Sequence, residues 1–176
     1  MMSIPNRDEG YVIYFSRPRK WNIGSWVIRK TQGTPFSHVA IYYDGQVYES
    51  TLRDIKPGQS LNDWLVYNDI VMQVDMEFPD GWSDTDTLKF QRILRFAMRQ
   101  PYSLLQIVGI WLSDRLGLKS NPFPNGRNAY ICSELVAQAL RHTGFDPFIS
   151  KRRDLITPKD LYTALREGLT DAGSVE

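Results

Sequence analysis

One cysteine, Cys132, two histidines, His38 and His142, and the glutamate Glu49 are the residues whose types suit nucleophilic chemistry in this chain. A cysteine attacks as its thiolate, and a helix N-terminus and a neighbouring imidazolium both stabilise that form. Cys132 opens the run CSELVAQALRHTG, in which Leu135, Val136, Ala139 and Leu140 form an apolar stripe and Gly144 supplies the stop. That spacing puts the thiol in the first helical turn on the core side. Glu134 shares the turn, and its charge opposes the thiolate unless the side chain points to solvent.

His142 stands ten residues further along the same helix, about 15 Å from the cysteine at the helical rise. It is assigned instead to the carbonyls at its helix end. His38 opens the strand-like run SHVAIYY, and packing of a sheet on the cysteine helix can bring it to Cys132.

The next strand supplies a third group. Asp44-Gly45 is a two-residue hairpin signal, since both turn positions require positive φ. The turn predicts pairing of Tyr43 with Gln46, Tyr42 with Val47, Ile41 with Tyr48 and Ala40 with Glu49. Glu49 and His38 then share a face as diagonal neighbours, roughly 7–8 Å apart at the backbone. In such a set Cys132 attacks a carbonyl, His38 carries the proton and Glu49 orients the imidazole. The N–H of Cys132 is the natural oxyanion donor, with Tyr130 a weaker candidate for a second.

The elements that must position these groups read as sheet first and helices after. GYVIYF, SHVAIYY and QVYES are rich in valine, isoleucine and tyrosine, and the whole stretch from Gly10 to Glu49 reads as strand. DIVMQVDM, Asp69 to Met76, adds a strand. A helix begins near Ser83 with Asp84 and Asp86 in its first turn; Pro101 separates it from a second, Tyr102 to Leu116, ended by Gly117. KSNPFPNGRN, Lys119 to Asn128, is a loop. The last helix has Thr157 as its cap, Pro158 at its first position and Gly168 as its stop, leaving a frayed tail.

The chain has 176 residues, of which 42% are hydrophobic and 23% charged, which suits one domain spanning 1–176. With 21 basic against 20 acidic residues, no chain-wide field draws it to nucleic acid or an acidic membrane. Partners must be recognised locally. MMSIPNRDEG shows no leader pattern, so a cytoplasmic location is the expectation. LLQIVGIWL is too short to span a bilayer and reads as a buried helix. A single cysteine excludes an intramolecular disulfide and a multi-cysteine metal cage.

The run from Gly10 to Ser50, with its SHVAI and VYES strands, the YICSELV motif around the cysteine and the later ITPKDLY together resemble the circularly permuted NlpC-like group. That group includes lecithin retinol acyltransferase-like proteins and bacterial permuted papain-like amidases. Histidine precedes cysteine here, the reverse of ordinary papain-like enzymes, which is the permuted order. Tyr11-Val12 stands where relatives place an acidic residue, and Ala40 where glycine is more frequent. The resemblance implies an α+β papain-like, circularly permuted fold: a small antiparallel sheet or partial barrel packed on the cysteine helix, with additional helices. It implies a cysteine hydrolase of amidase or peptidase type acting on a peptide, amide or acyl-ester substrate through a thioester. An acyltransferase and a non-catalytic binding module on the same fold are the alternatives. The matching roles are Cys132 as nucleophile, His38 as base and Glu49 as orienting residue. Thr51 to Asn128 carries no match and decides the substrate.

Plainer readings stand beside these. A lone cysteine in an amphipathic helix is more often a small buried hydrophobe than a nucleophile. A zinc site built from His38, Cys132 and Glu49 lacks metal-ligand spacing, and the expected mechanism needs no cofactor. The five tryptophans and nine tyrosines read mainly as filling for a sheet core. The cluster KRRD, Lys151 to Asp154, reads as a solvated loop.

Overall fold

In the computed structural model the described residues are 9–50, 58–98, 104–118, 120–123, 131–149 and 155–172. Strand β1, Gly10–Pro18, is the spine of the sheet. Its residues Tyr11 to Ser16 are all buried, because both faces are covered and alternate side chains enter different clusters. Tyr11, Ile13 and Phe15 join one cluster; Val12 and Tyr14 join the other.

β1 pairs antiparallel with β2, His38–Tyr43, on one side and β5, Asn68–Glu77, on the other. β2 turns into β3, Gln46–Tyr48, which pairs with the short β4, Gln59–Ser60. The result is one five-stranded antiparallel sheet ordered β4-β3-β2-β1-β5. The predicted hairpin register is present, with Tyr43 opposite Gln46 and Ile41 opposite Tyr48. Asp44 at φ 50° and Gly45 at φ 76° supply the two positive angles it requires.

Among the described residues there are six helices: α1, Ile23–Gln32; α2, Leu61–Leu65; α3, Asp84–Met98; α4, Leu104–Leu116; α5, Cys132–His142; and α6, Pro158–Ala172. The fold is α+β, as expected. α5 lays Leu135, Val136, Ala139 and Leu140 onto the sheet face that carries Val39, Ile41 and Tyr43. α2 inserts Trp64 into the opposite face beside Ala40, Tyr42 and Val47. No described helix is long and apolar enough to cross a membrane.

Several expectations are corrected. The stretch from Gly10 to Glu49 is not continuous strand, because α1 interrupts it. Asn22 caps α1 by accepting from the Ser25 N–H, and Gly33 ends it at φ 65°; both signals are local and outweigh the β-branched text between them. Gly168 does not stop α6, which continues to Ala172. A side chain at Gly168 would press on the Phe145 ring, so the glycine serves close packing instead. α4 is not a buried helix, since Val108 and Trp111 are exposed. Its Gly109 allows Asn121 to pack directly on the helix backbone. Pro101, Tyr102, Tyr130, KRRD at 151–154 and most of the loop 119–128 lie outside the described residues.

Candidate active site

His38 is the first residue of β2, and Glu49 follows directly after β3. The hairpin register brings them together: His38 Nε2 lies 2.5 Å from Glu49 Oε2. Side-chain alternation puts both on the face of Ala40, Tyr42 and Val47, whereas α5 packs on the other face. The imidazole nevertheless reaches Cys132, because His38 sits where β2 begins and no earlier residue of that strand separates it from the helix. Cys132 lies close enough for its side chain to act on the ring's protonation. With Nε2 committed to Glu49, Nδ1 is the nitrogen left for the sulfur.

The electrostatics favour an imidazolium. Burial is the largest influence on His38 and works against the charged ring. The charge and hydrogen bond of Cys132, followed by the hydrogen bond and charge of Glu49, outweigh it and raise the pKa from 6.5 to about 10.

Cys132 is buried at the start of α5. As the first helical residue, its N–H has no intrahelical acceptor and belongs to the positive end of the helix dipole. Glu134 does not point to solvent, as the favourable case required. It is buried, and its carboxylate accepts the Ile131 N–H at 3.1 Å. Its charge is thereby engaged with the helix start on the side away from bulk water. Ser133 in the same turn donates to the Ile156 carbonyl at 2.6 Å, fastening the lead-in of α6 to the nucleophile's turn. His142 lies apart from this site. Its ring contacts the Asp86 carbonyl of α3 at 3.3 Å, lies parallel to the Phe90 ring and meets Trp82 edge-on, so it braces α5 against α3 rather than capping its own helix.

Two contributors were not foreseen from the sequence. Trp64, fully buried on α2, donates its indole N–H to Glu49 Oε2 at 2.9 Å. Ser60-Leu-Asn-Asp63 is a helix-start signature, with Ser60 accepting from the Asp63 N–H, and could have revealed α2. The aim of the indole is a tertiary fact with no local signal. The second contributor is Ser37, the residue before His38, whose Oγ meets Ser25 Oγ of α1 at 2.6 Å and whose N–H donates to Ser16. It anchors the start of β2 to both α1 and β1.

Cys132 lines a cavity of about 520 Å³ together with Ser37, Val27 and Ile28 of α1, Ile110 of α4 and Leu155 ahead of α6. The space beside Cys132 is large enough for a substrate fragment, and its wall mixes these apolar side chains with polar ones, Thr31, Gln32, Lys159 and Asp160 among them. Among the described residues no group of three His, Cys, Asp or Glu side chains is placed to hold a metal ion.

No family model matches the chain, and no curated protein sequence matches it.

Proposed function

We propose that this chain is a papain-like, circularly permuted cysteine hydrolase acting on an amide, peptide or acyl-ester bond. The observation that carries the reading is the His38 ring held between the Cys132 side chain and Glu49 Oε2. Inert packing of a cysteine does not call for a charged imidazole on one side and an oriented carboxylate on the other.

The Cys132 thiolate adds to the substrate carbonyl carbon, and the carbonyl electron pair moves to oxygen. The N–H of Cys132 lies at the helix start, where it stabilises that oxyanion. The oxyanion collapses, the bond to the leaving amine or alcohol breaks, and the Nδ1 proton of His38 passes to the departing atom, leaving a thioester on Cys132. Water then attacks the thioester carbonyl as neutral His38 takes its proton. Collapse releases the carboxylic acid and restores thiolate and imidazolium. Glu49 holds the ring and offsets its charge throughout.

A second reading replaces water with an acceptor alcohol or amine, which makes the protein an acyltransferase. It is favoured by Val27, Ile28, Ile110 and Leu155 in the cavity wall at Cys132, an apolar stretch on which an acyl chain can lie.

The test is iodoacetamide labelling of Cys132 across pH in the wild-type chain and in His38→Ala, followed by intact-mass detection of an acyl adduct after exposure to peptide, amide and ester donors. The expected result is wild-type labelling at pH 6 about tenfold or more faster than in His38→Ala, which follows an ordinary thiol titrating near about 8.5. Identical profiles for the two chains would remove the enzyme. A perturbed wild-type profile with no acyl adduct from any donor would leave a binding module on the same fold.

A further inference from the structure

α1 is built inside out. At about 100° per residue, Ile23, Trp26, Val27 and Lys30 share one face of the helix, and that face looks to solvent: Ile23 is 65% and Trp26 46% exposed. Trp21, just ahead of the helix, is 76% exposed. The buried position of α1 is a serine, Ser25, held by Ser37. An ordinary surface helix turns its apolar stripe inward and its polar residues outward, so this apolar face has a use outside the fold.

Charge says what covers it. Between Gly10 and Tyr43 the chain carries Arg17, Arg19, Lys20, Arg29 and Lys30 and no aspartate or glutamate. Asp69 offsets part of this through Arg17 and Arg19. Lys20 and Lys30 are exposed on either side of the tryptophans in sequence. The chain as a whole has a net charge of only +1, so the basic character is concentrated where the apolar side chains emerge. Exposed tryptophans among aliphatic residues, flanked by lysines, suit the headgroup boundary of an anionic bilayer, where indoles settle and lysines meet lipid phosphates.

We infer that the outward face of α1, with Trp21, docks on an anionic phospholipid bilayer. A nucleic-acid strand would use the indoles for base stacking but gains nothing from Ile23 and Val27. A second copy paired through the same face would set two basic segments against each other. Val27 belongs both to this face and to the cavity wall at Cys132, and Trp111, also lining the cavity, is exposed on α4. The docked face therefore adjoins the cavity. Delivery of a bilayer-held substrate to Cys132 rests on the catalytic reading; the docking itself does not.

The full chain is sedimented with vesicles of phosphatidylcholine containing phosphatidylglycerol and with vesicles of phosphatidylcholine alone, alongside Trp21→Ser/Trp26→Ser and Lys20→Glu/Lys30→Glu. The wild type is expected to partition onto the anionic vesicles with a blue shift in tryptophan emission, and each double variant to lose about tenfold or more in partitioning. Iodoacetamide labelling of Cys132 stays unchanged in both variants, which separates lost docking from a lost fold and from failure of the catalytic reading. Absence of wild-type partitioning would overturn the inference. So would equal partitioning of all three chains, a dimer that dissociates on Trp21→Ser/Trp26→Ser, or tighter capture by a single-stranded oligonucleotide that depends on the same tryptophans.

Discussion

Trp64 donates its indole N–H to the very oxygen of Glu49, Oε2, that contacts His38 Nε2, at 2.9 Å against 2.5 Å. One carboxylate oxygen thus ties the face covered by α2 to the imidazole at the end of β2. Trp64 is a positioning residue: it touches no thiol and no cavity wall, but it restricts how the carboxylate can rotate. Trp64→Phe keeps an aromatic ring and removes the donor. The variant is expected to lose about 3 kcal/mol of stability, from a buried acceptor deprived of a partner and from lost volume. A structural role alone would stop there. Because the Glu49 bond is one of the influences raising the His38 pKa, Trp64→Phe should also lower the pH at which the ring titrates, read by NMR of its carbon-bound protons. An unchanged titration with reduced stability would reduce Trp64 to core filling.

The raised pKa of His38 makes stability depend on pH with a defined sign. The folded pKa is about 10 against 6.5 for a free imidazole, so between those limits the native ring holds a proton that the ring of the unfolded chain has released. The contribution is complete below 6.5 and is lost as pH rises through about 10. Urea midpoints measured at pH 6, 8 and 10 should fall across the series in the wild type and fall less in His38→Ala. Parallel slopes for the two chains would mean that His38 does not carry the effect.

The legible parts of this molecule are those fixed by short-range rules. Asp44-Gly45 can form only a tight turn of one handedness, which sets the register of β2 and β3 and so puts Glu49 beside His38. Cys132 could be assigned to a helix start because the stripe from Leu135 to Leu140 has one period and Gly144 one stop. α1 was not legible, because WVIRK favours strand by residue type while the signals that decide it, Asn22 and Gly33, are single residues at its ends. Trp64 and Gly168 were beyond local rules altogether. The indole acts on a carboxylate fifteen positions away, and the glycine answers to a ring from a different segment, Phe145. Reading the tryptophans as core filling held for Trp64 and failed for Trp21, Trp26 and Trp111, since burial follows from which face a residue lands on and not from its type.

Gly10 begins β1 and pairs with Glu77 of β5. A Cβ at this position would run into the Met76 carbonyl oxygen and the backbone beside it. That obstacle is main chain and cannot swing aside as a side-chain tip can. Gly10→Ala must therefore part the end of the β1–β5 ladder, at an expected cost of about 2–3 kcal/mol. Gly45→Ala meets no atom but keeps a φ of 76°, and should cost about 1 kcal/mol. Chemical denaturation of the two variants would show whether the order holds; the reverse order would place the tight approach elsewhere.

Ser133 sits next to the nucleophile, is fully buried, and donates to the carbonyl of Ile156, itself buried, at 2.6 Å. The residue after Ile156 is Thr157, which caps α6 by accepting the Asp160 N–H, while Asp160 accepts the Thr157 N–H in return. Leu155, Thr157 and Pro158 form one wall of the cavity at Cys132. This hydroxyl thus ties that wall to the turn that carries the thiol, beside the packing of Ile156 and Leu161 in the same core cluster. Ser133→Ala leaves the Ile156 carbonyl without its donor, and the expected loss is about 1–2 kcal/mol, or about 4 °C in Tm for a chain of this size. Iodoacetamide needs little room and should label Cys132 at close to the wild-type rate. A bulky apolar maleimide must enter between α1 and the start of α6, and its labelling rate should change by about threefold or more once the wall is loosened. Equal effects on both reagents would mean that Ser133 acts on the thiol itself rather than on the wall beside it.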